Sequence, residues 1–144
     1  PWMQAVEPGD VVVIDQSGVD AGLMGSNNSM DGIINGATGY VTNGGVRDTD
    51  EVILEKIPFW SRMVSQGMVQ GRLQFEDYDI PVVVGGVLVH PGDVVVADGD
   101  GVIVVPRDLA KDVAKYAHQE LSNDKVTRRG KYEELGLELD DTVT

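Results

Sequence analysis

Gly39-Tyr40-Val41-Thr42-Asn43-Gly44-Gly45-Val46-Arg47-Asp48-Thr49 is the stretch from which the rest of the chain can be read. Tyr40, Val41 and Thr42 are aromatic or β-branched, the composition of a half-buried strand. Asn43-Gly44-Gly45 then reads as a turn that ends the strand at Thr42. Two glycines there let the backbone bend sharply and approach a ligand closely. Thr49 opens a short helix reaching Lys56, with Val52, Ile53 and Lys56 at helical spacing. A strand, a glycine turn carrying Arg-Asp and a helix start thus follow one another in that order.

Outward from this stretch, one sequence occurs twice. Pro8-Gly9-Asp10-Val11-Val12-Val13 returns as Pro91-Gly92-Asp93-Val94-Val95-Val96. Each copy reads as a turn followed by a buried strand, and two copies are too few for a solenoid. They are expected to be strands of one barrel-like sheet. Ser26-Asn27-Asn28 is a run of helix-capping residues, followed by Met30, Ile33, Ile34 and Ala37 at the spacing of a buried helical face. Ile57 to Trp60 is expected to be a short extended piece. Arg72-Leu73-Gln74-Phe75-Glu76 alternates as a half-buried strand does. Residues 80–84, 87–89, 93–97 and 102–105 give four more strands, the last two joined by the hairpin signal Asp98-Gly99-Asp100-Gly101. After Pro106, Asp108 is positioned to cap a helix that continues to about Leu135. Residues 1–106 therefore read as a β-rich core and 107–144 as a helical appendage of the same domain, with a loose acidic tail from Glu138.

Composition limits what such a protein can do. Among 144 residues, 24 Asp and Glu against 11 Lys and Arg give a formal charge of −13. That balance argues against nucleic acid and an anionic membrane as partners, since both demand a dense basic face. With no cysteine, disulfides, thiolate metal sites and a cysteine nucleophile are excluded. Valine occurs 24 times and glycine 18 times, as befits many short strands joined by tight turns. No apolar run approaches the ~20 residues of a membrane helix, and no signal-like start is seen. A cytoplasmic protein is expected. The sequence opens at Pro1 and enters a strand signal within ten residues, which reads as a chain beginning inside a domain or as a processed product.

Three places could carry chemistry. Arg47 is the only cationic side chain in residues 1–55, and it stands beside Asp48. Arginine presents a planar fork suited to a carboxylate or a developing oxyanion. Aspartate is a natural ligand for Mg²⁺, which keeps waters and needs only one or two protein carboxylates. The same pair would also serve as an ordinary surface ion pair in a turn. Gly25-Ser26-Asn27 offers free N–H groups at a helix start, an anion site or simply a cap. Asp98-Gly99-Asp100-Gly101 resembles the opening of a calcium loop, but its twelfth position is Leu109, where a bidentate glutamate is needed. His90 and His118 are far apart, no phosphate loop or nucleophile elbow is present, and Lys56 lies in a solvated Glu-Lys context.

These residues resemble a known signature. Gly39 to Thr49 is similar to the G-x-V-x-x-G-x-x-R-D block of the RraA-like family. Val84-Gly85-Gly86-Val87, Val89, Pro91-Gly92-Asp93 and Ala97-Asp98, Asp100-Gly101-Val102 are similar to its second block. The likeness runs from about Pro8 to Pro106. It implies a swivelling β/β/α sandwich lacking part of its N-terminal segment, assembled as a homotrimer or hexamer with sites near subunit interfaces. The family holds class II aldolases for 4-hydroxy-4-methyl-2-oxoglutarate, which also decarboxylate oxaloacetate, and proteins that inhibit a ribonuclease by binding it. The first activity implies a divalent metal, Mg²⁺ or Mn²⁺, and a small 2-oxo acid substrate. It also implies that Arg47 contacts the pyruvyl oxygen, that Asp48 holds the metal, and that Gly25, Ser26 and Asn27 bind a carboxylate. Family aldolases usually carry an acidic residue where this chain has Ser26. Some members also use a glutamate from the C-terminal helix of a neighbouring subunit, a role that Glu120 or Asp124 could fill here.

Overall fold

In a computed structural model, which describes residues 2–144, the chain runs β1 (Val11–Ile14), β2 (Gly22–Met24), α1 (Ser26–Ile34), β3 (Gly39–Val46), α2 (Thr49–Leu54) and β4 (Phe59–Val64). There follow β5 (Val82–Val84), β6 (Val87–Val89), β7 (Val94–Ala97), β8 (Val102–Val105) and α3 (Ala110–Leu135). A single 3-10 turn, Trp2–Ala5, precedes them. The fold is α/β, as expected. Two compact units result, one ending at Val104 and the other covering Val105–Thr144.

β3 is the axis of the first unit. On one edge it takes β1 along residues 39–42 and β2 along 45–46; β4 lies along the other, and every pairing is parallel. The strand does not end at Thr42. It continues through Asn43-Gly44-Gly45 to Val46, with a register shift against β4 between Thr42 and Gly45. The glycines serve strand packing rather than a turn. A Cβ on Gly44 would stand 2.6 Å from the Gln16 Cβ, and one on Gly45 would stand 2.6 Å from the Ser65 Cβ and 2.7 Å from the Ala21 carbonyl oxygen. Gln16 is buried, donating from Nε2 to the Ala21 carbonyl (3.0 Å) and accepting from Thr42 Oγ1 (2.8 Å).

The core of this unit gathers Met24, Ala37 and Tyr40, with Phe59 stacked on Tyr40 at 5.3 Å. The Tyr40 hydroxyl donates to the Ser29 carbonyl at 2.6 Å. Burial, assisted by the nearby negative charge of Asp31, pushes its pKa up to about 12. α1 forms where expected but turns the other face inward. Ser26, Ser29 and Gly32 are buried, while Met30, Ile33 and Ile34 are exposed. The reason is distance: the Tyr40 hydroxyl occupies the space a Gly32 side chain would need, so only small residues fit against the sheet. Ile34, Ile53 and Leu54 are 81%, 74% and 82% exposed, and they lie on α1 and α2, which contact each other.

β5 and β6 form an antiparallel hairpin whose tip, Gly85-Gly86, has both φ angles positive, as a tight primed turn requires. β7 and β8 form a second two-stranded sheet, closed by an Asp98 N–H to Gly101 carbonyl bond of 3.0 Å. The two Pro-Gly-Asp copies therefore open strands of different sheets, β1 and β7, and not of one barrel. No strand forms over Arg72–Glu76, which has no neighbouring strand to complete its alternation.

In the second unit, α3 ends at Gly136, whose φ of +67° lets the chain reverse, with the Leu137 N–H on the Tyr132 carbonyl (2.9 Å). The tail is not loose. Lys125 Nζ donates to the Thr144 carbonyl (2.6 Å), Arg128 Nη2 to Thr142 Oγ1 (3.2 Å), and Val143 is buried. Among the described residues no helix is long and apolar enough to cross a membrane.

Candidate functional site

Arg47 leaves the end of β3 and is tied twice to β2. Its N–H donates to the Met24 carbonyl (2.9 Å) and its Nη1 to the Gly22 carbonyl (3.0 Å). Its Nε stands 3.7 Å from Asp48 Oδ2, with a third of the Arg47 side chain and 43% of the Asp48 side chain exposed. Asp48 holds a left-handed backbone, φ +54° and ψ +41°, and its carbonyl accepts the first helical bond of α2 from Val52 (3.0 Å). That conformation is reached by few non-glycine residues, Asp and Asn foremost. It turns the side chain back over Gly25, where a Cβ would collide with Asp48 Oδ2 and lie 3.0 Å from Arg47 Cγ. The Arg-Asp pair rests on a glycine floor just before α1, where the positive end of the helix dipole favours a carboxylate.

Arg47 and Asp48 line a cavity of about 740 Å³ with Asp20, Val64, Ser65, Gln66, Gly67 and Arg72. Of these, the sequence had singled out only Arg47 and Asp48. The Ser65 N–H donates to the Val46 carbonyl (2.9 Å), and its Oγ accepts from the Gly67 N–H (3.1 Å). Gly25, Ser26 and Asn27 are not among the lining residues. Gly25 makes room for Asp48, and Asn27 is exposed. The Ser26 hydroxyl is committed to the Glu55 carboxylate, at 3.0 and 2.9 Å from its two oxygens. An aspartate at 26 would therefore meet a like charge. Glu120 and Asp124 lie on α3, in the second unit. A larger cavity, of about 780 Å³, is lined chiefly by valines with Trp60 and Asn43; its one charged group is Arg62, so it lacks the carboxylates that metal or acid–base chemistry needs.

Donors around Asp48 are all oxygen: its carboxylate, with Asp20, Ser65 and Gln66 in the same cavity. Among the described residues no group of three or more His, Cys, Asp or Glu could hold a metal. A sparse, oxygen-only set suits an ion that keeps most of its waters, such as Mg²⁺ or Mn²⁺, and does not suit zinc.

Comparisons with known proteins agree with this architecture. A protein of Deinococcus radiodurans provisionally named a 4-hydroxy-4-methyl-2-oxoglutarate aldolase is 36% identical over 105 residues, 72% of this chain and 64% of that protein. A protein of Halalkalibacterium halodurans with the same provisional name is 29% identical over 133 residues, 88% of this chain and 60% of that one. The chain thus spans less than two thirds of the length of these relatives. The crystal structure of Streptomyces coelicolor RraAS2, described as an unusual member of the RNase ES inhibitor RraA family, superposes with a TM-score of 0.81 at 33% identity, covering 88% of this chain and 65% of that one. The family model for RraA-like proteins, described as Aldolase/RraA, matches residues 2–104, the stretch that holds the sheet, the Arg47-Asp48 pair and its glycine floor. On these grounds the chain belongs to the RraA-like family.

Proposed function

We propose that this chain is a divalent-metal-dependent lyase acting on small 2-oxo acids through a pyruvate enolate. The observation that carries the reading is the Arg47–Asp48 pair held over Gly25 at the wall of an open cavity. When bound, Mg²⁺ or Mn²⁺ supplies Lewis acidity toward the 2-oxo group, and Asp48 is the residue to hold it. With Nη1 on the Gly22 carbonyl and Nε toward Asp48, Arg47 keeps its remaining N–H groups for the substrate. They stabilise the negative charge that develops on the substrate oxygen as the C–C bond breaks and its electrons enter the carbonyl. Oxaloacetate loses CO₂ by this flow alone and later takes a proton from water. Aldol cleavage of 4-hydroxy-4-methyl-2-oxoglutarate also needs a base for the hydroxyl proton. Such a base contributes about 10²–10⁴-fold, and Ser26 supplies none directly. Oxaloacetate is accordingly the faster substrate. The test is pyruvate release from each compound with and without Mg²⁺; no metal-dependent release from either would sink the proposal.

A second reading has support in the Streptomyces neighbour, whose description places it in a ribonuclease-inhibitor family. Under it the chain is a non-catalytic regulator that binds a ribonuclease, and Asp48 is dispensable. In either case we propose a homotrimer or hexamer, as the family resemblance implies, with the cytoplasmic location that the composition led us to expect. Ile34, Ile53 and Leu54 give α1 and α2 an apolar surface for contact with another copy. Light scattering at micromolar concentration should report a trimer or its dimer, and a stable monomer would contradict this.

A further inference from the structure

The cavity of Arg47 and Asp48 contains a second guanidinium that the proposed chemistry leaves unused. Arg72 donates from Nη1 to the Asp20 carbonyl at 2.9 Å, while Arg47 donates from Nη1 to the Gly22 carbonyl at 3.0 Å. Those carbonyls are two residues apart, hence separated by at most about 7 Å along the chain. The same segment is stitched once more, by the Gly22 N–H on the Gly67 carbonyl (2.8 Å), and Arg72 Nη1 lies 3.2 Å from where a Gly67 Cβ would stand. Both guanidiniums therefore grip one short piece of wall and line one cavity. Arg47 has Asp48 as a partner, and Arg129 has Glu133. Among the described residues no carboxylate stands within 4.0 Å of the Arg72 guanidinium. With one of five donor hydrogens on a backbone carbonyl, Arg72 keeps a free fork for a two-point bond to a carboxylate.

We propose that Arg72 binds the second carboxylate of a dicarboxylic 2-oxo acid, the one remote from the reacting carbonyl, and so selects dicarboxylates over monocarboxylates. The inference rests on the reading of Arg47 and Asp48 as the 2-oxo acid end of the cavity. Charge supports it. Two arginines and a divalent cation, set against Asp20 and Asp48, leave two positive charges. A dicarboxylate neutralises both, and a monocarboxylate only one.

The experiment is calorimetric titration of the full chain, in Mg²⁺, with 2-oxoglutarate and with 2-oxopentanoate. The second ligand has the same five carbons with a methyl in place of the remote carboxylate. The unaltered protein should prefer 2-oxoglutarate by about tenfold or more, the scale of a charge-assisted hydrogen bond. Arg72→Gln should erase that preference and leave 2-oxopentanoate binding within about twofold, which also shows the variant to be folded. A preference that survives Arg72→Gln, or an equal loss for both ligands, overturns the assignment of Arg72. Equal affinity of the unaltered protein for the two ligands does so as well, while the 2-oxo acid reading stands. If the unaltered protein binds neither ligand, that reading falls and the inference with it.

Discussion

Asp48→Asn lowers Mg²⁺-dependent pyruvate release by about 10²–10³-fold or more, the scale on which a single stabiliser of developing charge acts, while the fold is retained. Asparagine removes the charge that holds a divalent cation and keeps the shape. It also tolerates the left-handed backbone at φ +54°, where alanine would add a strain of roughly 1 kcal/mol. The Asp48 side chain makes no capping bond to α2, so helix stability does not confound the result. Its pairing with Arg47 is part-exposed and adds little to stability. Turnover measured across Mg²⁺ concentration, beside a thermal melt of the same sample, separates the two roles. Unchanged metal-dependent turnover in the Asp48→Asn variant would remove Asp48 from the chemistry and favour the regulator reading.

Gly44→Ala has the largest expected effect on stability. The added methyl would press on the Gln16 side chain, a buried amide bonded to Ala21 and Thr42. Gln16 cannot withdraw without leaving polar atoms unsatisfied, and its own N–H is fixed on Asn43 Oδ1 at 2.7 Å. Overpacking and lost buried hydrogen bonds together cost about 3 kcal/mol or more, equivalent to a melting point lower by roughly 10 °C. Gly130→Ala is the contrast, since a Cβ there meets nothing within 4 Å and α3 gains a better helix former. Equal melting points for the Gly44→Ala variant and the unaltered protein would show that the Gln16 network can yield.

The parts of this molecule that the sequence displayed are those where one residue type has one use. Arg47 was conspicuous as a lone cation in an acidic stretch, and its place beside Asp48 on the cavity wall follows from adjacency. Valine runs between Gly-rich turns marked β5 to β8 correctly. Where the reading failed, close packing reversed the usual signs. Gly44 and Gly45 looked like a turn but leave room for Gln16, Ala21 and Ser65 to press against β3. Met30, Ile33 and Ile34 looked like a buried face, yet Gly32 and the serines are what fit beneath Tyr40. β2, with three residues, is too short to show a period. Arg72 was hidden inside an alternating pattern that mimicked a strand, and its nearness to Arg47 arises only from the chain returning past Gly22 and Gly67.

β3 also governs how fast each end of the cavity can move. Paired along both edges and buried at seven of its eight positions, it opens only when the whole sheet opens. Arg47, one residue past its end, inherits that slow clock. Arg72 belongs to an exposed stretch without regular structure between β4 and β5, where amide protons exchange through local fluctuations that leave the sheet intact. The two ends of the cavity thus belong to parts of the fold of different local stability, Arg47 to the buried sheet and Arg72 to a segment that can rearrange without disturbing it.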